Sequence, residues 1–188
     1  PFKGAHLTPS ALEHEWNKLM GIYEFYLHHA LECTIASQPP LCIDVGAAEG
    51  YYTVGLAHRL PSSRHIAYEM IDQARQALLR TARSLEPSIQ VKGRCTLDQL
   101  TADVQSSERG FLLMDCEGYE EHLLTPSIHA PLAGWHILLE VHDFQAPGAG
   151  EKILELFSSS HDVLIMNSRQ PDLSTLSSVA PWPLNALC

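Results

Sequence analysis

Apolar residues along this chain alternate between two arrangements. Some form short unbroken runs, as in Leu41-Cys42-Ile43 with Val45, and Phe111-Leu112-Leu113-Met114; such runs read as strands buried on both faces, as in a parallel sheet. Others recur at helical spacing: Leu12, Trp16, Leu19, Met20, Tyr23, Leu27, Ala30 and Leu31 make one stripe, predicting a long N-terminal helix that Ser10 caps with Glu13 three residues on. The same pattern predicts strands over 41–45, 65–69, 88–91, 111–115, 135–142 and 162–166. It places helices after the glycines at 46 and 50, from Asp72 through Leu85, from Asp115 to Pro126, and from Gly148 through Phe157.

Strands alternating with helices predict an α/β fold, a doubly wound and mostly parallel sheet with an additional N-terminal helix. A chain of 188 residues supports one well-buried core. We therefore expect a single domain: a helical cap over 1–40, a Rossmann-like core over 41–166 and an irregular tail over 167–188. No internal repeat or low-complexity tract is present.

Composition narrows the class of partner. There are 22 acidic and 12 basic residues, a formal charge of -10, and a field of that sign repels phosphate backbones. Long nucleic acids are not expected as partners, and no apolar run reaches the length of a membrane span. The five cysteines, Cys33, Cys42, Cys95, Cys116 and Cys188, are odd in number and show no CxxC pairing. They read as reduced thiols of a cytoplasmic protein. The chain starts at Pro1 without methionine or signal pattern and reads as a processed or partial segment.

The most informative stretch is Ile43-Asp44-Val45-Gly46-Ala47-Ala48-Glu49-Gly50-Tyr51, a strand, a tight turn and the start of a helix. A dinucleotide fingerprint would place a further glycine at 48, beside a pyrophosphate; here Ala48 and the acidic Glu49 stand in the turn. A ligand with an adenosine but no phosphate, and with positive charge, suits this turn better. S-adenosylmethionine is such a ligand, and a Cβ at Gly46 or Gly50 would crowd the backbone beside it. In open α/β sheets ligands bind beyond the carboxyl ends of strands, and Asp44, Glu69, Asp115 and the pair Glu140 and His142 fall there. Glu69 follows Gly46 by 23 positions, near the ~20-residue interval at which an acid accepts ribose hydroxyls. Glu117, Glu120 and Glu121 also fit plain helix-start positions favoured by the dipole. Glu140 and His142 point to one side of a strand. No HExxH, P-loop, zinc-type spacing or GxSxG elbow occurs.

Several ordered blocks give a resemblance. Residues 43–57, Ala67-Tyr68-Glu69, Thr96-Leu97-Asp98-Gln99-Leu100, Leu113 through Glu120 with its D-x-EG-x-E turn, and Leu138 through His142 resemble the FkbM-type S-adenosylmethionine-dependent methyltransferases. The resemblance implies a class I methyltransferase fold and a hydroxyl-bearing small-molecule acceptor, such as a sugar or a polyketide-like compound. It implies that Asp44, Gly46, Ala47, Ala48, Glu49, Gly50, Tyr51, Glu69, Met70 and Asp115 bind the cofactor. Met70 stands where the family usually has proline. The acceptor would meet Glu117, Tyr119 and His142, and the chemistry would fall to His142, Asp115 and Glu140. Two mechanisms stay open: His142, or else Asp115, is a general base for the hydroxyl, or Asp115, Glu140 and His142 hold a divalent cation that acidifies it. The alternative from another class is a non-catalytic cofactor-binding or protein-interaction module with the same fold.

Overall fold

The computed structural model describes residues 16–19, 21–83 and 89–166. The proposed Ser10 cap, most of the first turns of the N-terminal helix, Ser88, Pro87 and the tail lie outside them. Strands β1 (Leu41–Val45), β2 (Arg64–Tyr68), β3 (Ile89–Lys92), β4 (Phe111–Met114) and β5 (His136–Leu139) form one sheet in the order β3-β2-β1-β4-β5. Every neighbouring pair is parallel. The order reverses between β1 and β4, where an open α/β sheet leaves its ligand crevice.

Alternation along the strands builds a core on each face. Leu41, Ile43 and Val45 of β1 join Leu112 and Met114 of β4 on one side, against α5 (Leu97–Gln105), α7 (Pro126–Leu132) and α8 (Ala149–Phe157). On the other, Cys42, Phe111 and Leu113 pack with α2 (His28–Ala36) and α3 (Tyr51–Arg59), while Ala67 and Ile89 meet Val54 and Leu78 of α3 and α4 (Asp72–Ala82). Thr96 caps α5 in a reciprocal box with Gln99, so the Thr96-Leu97-Asp98-Gln99 block is a helix start. The four cysteines among the described residues are free thiols.

Four expectations are corrected. The N-terminal stripe is not one helix within the described residues. After α1 (Trp16–Leu19) the chain turns at Gly21, φ +69°, and at Glu24, φ +44°, before a 3₁₀ turn at Phe25–Leu27 and α2. Pro126 does not end the helix that follows β4: α6 (Glu120–Leu123) is a single turn, and Pro126 opens α7 at the N-terminal position where its missing N–H costs nothing. Residues 162–166 are not a strand; Val163, Leu164 and Ile165 are exposed, and no neighbour pairs them among the described residues. Finally, β5 stops at Leu139, so Glu140 and His142 belong to the loop beyond the strand rather than to one of its faces.

Candidate functional site

The turn after β1 is fixed from three sides. Gly46 and Ala47 donate to Tyr68 O at 2.9 and 3.0 Å, and Gly50 donates to Ala47 O at 2.8 Å. Ala48 sits at φ +46°, a conformation that costs an L-residue roughly 1 kcal/mol or more, and its N–H donates to Glu69 Oε2 at 2.8 Å. The two glycines answer to packing within the protein as well as to a ligand. At Gly46, φ +90°, an added Cβ would stand 1.6 Å from the Asp115 carbonyl oxygen; at Gly50, φ +96°, it would stand 2.4 Å from Leu78 Cδ1. Gly46 lets the ends of β1 and β4 approach, and Gly50 lets α4 pack on the turn.

A cleft of about 50 Å³ opens at the switch point between β1 and β4. Asp44, Gly46, Ala47, Ala48, Glu49, Tyr51 and Asp115 line it, as do Lys18, Tyr23, Tyr52 and Leu113. Gly50, Glu69 and Met70 lie outside this lining. Glu69 is buried beneath the turn, with Oε1 accepting from Ile71 N at 2.6 Å, and Met70 is exposed. No motif points to Lys18 or Tyr23 at the cleft, and Tyr52 falls within the 43–57 block without a role assigned to it. The apolar stripe places Tyr23 on a helix, whereas the turn at Gly21 brings it onto Tyr51 at 5.2 Å, edge to face, with Lys18 Nζ 4.7 Å from the Tyr23 ring. Tyr52 donates its hydroxyl proton to the Glu24 carboxylate.

Asp44 is enclosed, accepts from Thr53 Oγ1 at 2.5 Å, and has its pKa pushed up to about 7, chiefly by burial, with Asp115 and Glu69 adding repulsion. Burial, followed by Glu140, likewise pushes Asp115 up to about 6. One oxygen of each, Asp44 Oδ1 and Asp115 Oδ1, is buried without a hydrogen-bond partner among the described residues.

Beside this cleft the turn after β4 coils around a carboxylate of its own. Glu117 and Gly118 both take positive φ, +55° and +92°, which aims the N–H groups of Cys116 and Gly118 at Glu120 Oε1, each at 3.2 Å. Glu120 is fully enclosed, at 0% exposure. The same oxygen contacts His142 Nδ1 at 3.1 Å, accepting from an Nδ1–H. That bond leaves Nε2 on the open side, 3.6 Å from Glu117, 3.7 Å from Asp115 and 3.9 Å from Glu140. Desolvation alone would lower the His142 pKa, but the bond to Glu120 and the charges of Glu120, Asp115 and Glu117 outweigh it and raise it. Burial and then Glu24 raise Glu140. Asp115, Glu140 and His142 lie together, while Tyr119 stacks on His122 with Arg94 over its ring and packs against the core. Burial and Glu120 raise the Cys116 thiol, which is therefore no thiolate nucleophile at neutral pH.

The chain overlays on an O-methyltransferase from Bacillus cereus, solved in complex with SAH, with a TM-score of 0.51 over 84% of this chain and 73% of that one, at 14% identity. The fold is that of a class I methyltransferase. No protein-family model matches the chain, and no curated protein does. Within this fold the cleft at the ends of β1 and β4 occupies the crevice of the switch point, with the acid and imidazole cluster on the β4–β5 side.

Proposed function

We propose that this chain is an S-adenosylmethionine-dependent methyltransferase acting on a hydroxyl of a small molecule, a sugar or polyketide-like compound, within an FkbM-type family. The observation that carries the reading is the cleft acid Asp44, one of whose carboxylate oxygens is buried without a partner among the described residues, while the corresponding Asp115 oxygen turns toward His142. A ligand carrying an ammonium, a sulfonium and ribose hydroxyls supplies the donors and positive charge that such an oxygen needs, whereas a pyrophosphate would meet Ala48 and Glu49 instead of glycine. Tyr23, Tyr51 and Tyr52 add aromatic faces of the kind that stabilise a sulfonium. Glu69, buried under Ala48, holds the turn that the ribose would reach. Lys18 and Tyr23, on the segment before α2, line the same cleft, so that segment bounds the cofactor's path.

When bound, S-adenosylmethionine supplies an electrophilic methyl, which the acceptor oxygen bonds as the carbon–sulfur pair returns to sulfur. The protein aligns the acceptor, and proximity can supply ~7 kcal/mol or more of the barrier. The hydroxyl proton leaves either to His142, or else Asp115, acting as base on the rim next to the cleft, a contribution of ~10²-fold or more, or by way of a divalent ion that these residues hold with Glu140. Calorimetry with S-adenosylhomocysteine and with NAD, followed by transfer of labelled methyl to a panel of hydroxyl compounds, tests this. Binding of the first ligand alone, with transfer, is the expected result. A folded protein that binds neither overturns it, and binding without transfer across the panel moves the chain to the non-catalytic alternative.

A further inference from the structure

His142 is 6% exposed, its ring edge-to-face with Phe144 at 5.8 Å, and Nδ1 alone of its two nitrogens is hydrogen-bonded among the described residues. Glu120, held in place by the backbone N–H groups of Cys116 and Gly118, fixes Nδ1. Around Nε2 stand Glu117 Oε2, Asp115 Oδ1 and Glu140 Oε1 at 3.6, 3.7 and 3.9 Å, too long for hydrogen bonds. The Asp115 oxygen facing Nε2 is the buried oxygen that has no hydrogen-bond partner among the described residues. Ligand atoms from Asp115, Glu140 and His142 all lie within 4.8 Å of one another. Two ligands on one first-row ion stand ~2.1 Å from it, hence ~3.0 Å apart at right angles and ~4.2 Å apart across it. The separations from Nε2 fall inside that interval.

We infer that Asp115, Glu140 and His142 hold a divalent first-row transition ion, with Glu117 in reach as a further oxygen ligand once it parts from Gln145 Nε2, 3.0 Å away. The imidazole suits Fe²⁺ or Zn²⁺ and the carboxylates suit Mn²⁺, so an ion of this group fits the mixed donor set. Glu120 is a positioning residue. By accepting from Nδ1–H it fixes the tautomer that leaves the Nε2 lone pair facing the carboxylates, the arrangement of a carboxylate–histidine–metal triad. The inference rests on the methyltransferase reading only in what the ion does there. Bound to the acceptor oxygen, it lowers that hydroxyl's pKa and aligns the oxygen for transfer.

Equilibrium dialysis and electron paramagnetic resonance of Mn²⁺ with the full, chelator-stripped chain read the site without any turnover. One ion per chain is expected. Glu140→Gln and His142→Ala should each weaken it tenfold or more, and Glu120→Gln tenfold to a hundredfold with an unchanged circular-dichroism spectrum. Should Glu120→Gln fail to fold, the exposed Glu140→Gln keeps the test standing. Absence of saturable Mn²⁺ binding below 1 mM (on the order of 4 kcal/mol of affinity) in protein that still binds S-adenosylhomocysteine overturns the ion and leaves the methyltransferase reading intact. Mn²⁺ binding that ignores these substitutions overturns the site, and site-specific Mn²⁺ binding without S-adenosylhomocysteine binding supports the ion while defeating the functional reading.

Discussion

Glu69 Oε2 accepts the Ala48 N–H at 2.8 Å, joining the end of β2 to the strained residue of the turn after β1. Its other oxygen takes the Ile71 N–H, so one buried carboxylate determines both the shape of the glycine turn after β1 and the exit of the chain toward α4. An acid in this position is accordingly structural before it is a ligand contact.

Glu69→Ala should therefore lower stability and cofactor affinity together. It leaves two backbone donors without their acceptor, a loss of ~1–3 kcal/mol, and it frees Ala48 from its left-handed conformation. We expect a lower urea midpoint and at least a tenfold weaker S-adenosylhomocysteine affinity by calorimetry. A tenfold loss of affinity at unchanged midpoint would mean that Glu69 acts on the ligand alone.

At Gly46 the expected loss is larger and comes from the fold. Gly46→Ala would place a Cβ 1.6 Å from the Asp115 carbonyl, against backbone that cannot rotate away. The variant should be unfolded or destabilised by ~3 kcal/mol or more, the range for severe core overpacking. Gly93→Ala meets nothing within 4 Å and serves as the control, with a change within ~0.5 kcal/mol. Equal midpoints for the two variants would contradict the close approach of β1 and β4.

These cases show what the chain discloses on its own. β1 and β4 are legible because strands buried on both faces read as near-continuous apolar runs, broken in β1 only by the buried Asp44. The capped start at Thr96 is legible as a block but not as a cap. The break at Gly21 is hidden, because the apolar stripe keeps its helical spacing through Tyr23 and Leu27 even though Tyr23 turns onto Tyr51. Residues 163–165 have strand composition and no strand, since a ladder also needs a partner edge. Glu120 is the hardest to read. Acids in a first helical turn have the same local signature whether exposed or buried, and only the coil of Glu117-Gly118 and a histidine 22 positions later distinguish them.

The segment beside the cleft offers a kinetic test. Tyr52 donates to Glu24, which is itself held at φ +44°, so this bond fastens a strained turn beside the cleft. Tyr52→Phe removes a hydrogen bond to a charged group, ~1.5–3 kcal/mol. Amides of residues 22–27 should exchange at least tenfold faster, and the cofactor's association rate should rise severalfold. Unchanged exchange in these residues would show that other contacts hold the turn.

The last expectation concerns pH and Asp44. Burial raises its pKa from an ordinary carboxylate value to about 7, with Asp115 and Glu69 adding to the shift. Below the unfolded value near 3.9 the group is protonated in both states and pH has no effect through it. Between there and about 7 the folded protein keeps a proton that the unfolded chain has released, so stability falls as pH rises through that window, by up to ~1.4 kcal/mol per unit. Above it the full cost of a buried charge applies, on the order of 4 kcal/mol as an upper bound. Asp44→Asn keeps an oxygen for the Thr53 hydroxyl and carries no charge, so it should be more stable than the parent at pH 8, with the difference shrinking toward pH 4. Urea unfolding of both proteins at pH 4.5 and 8, without cofactor, measures this. A parent more stable than Asp44→Asn at pH 8 would mean that the carboxylate is ionised and satisfied by a cationic partner, the opposite of the enclosed acid seen here.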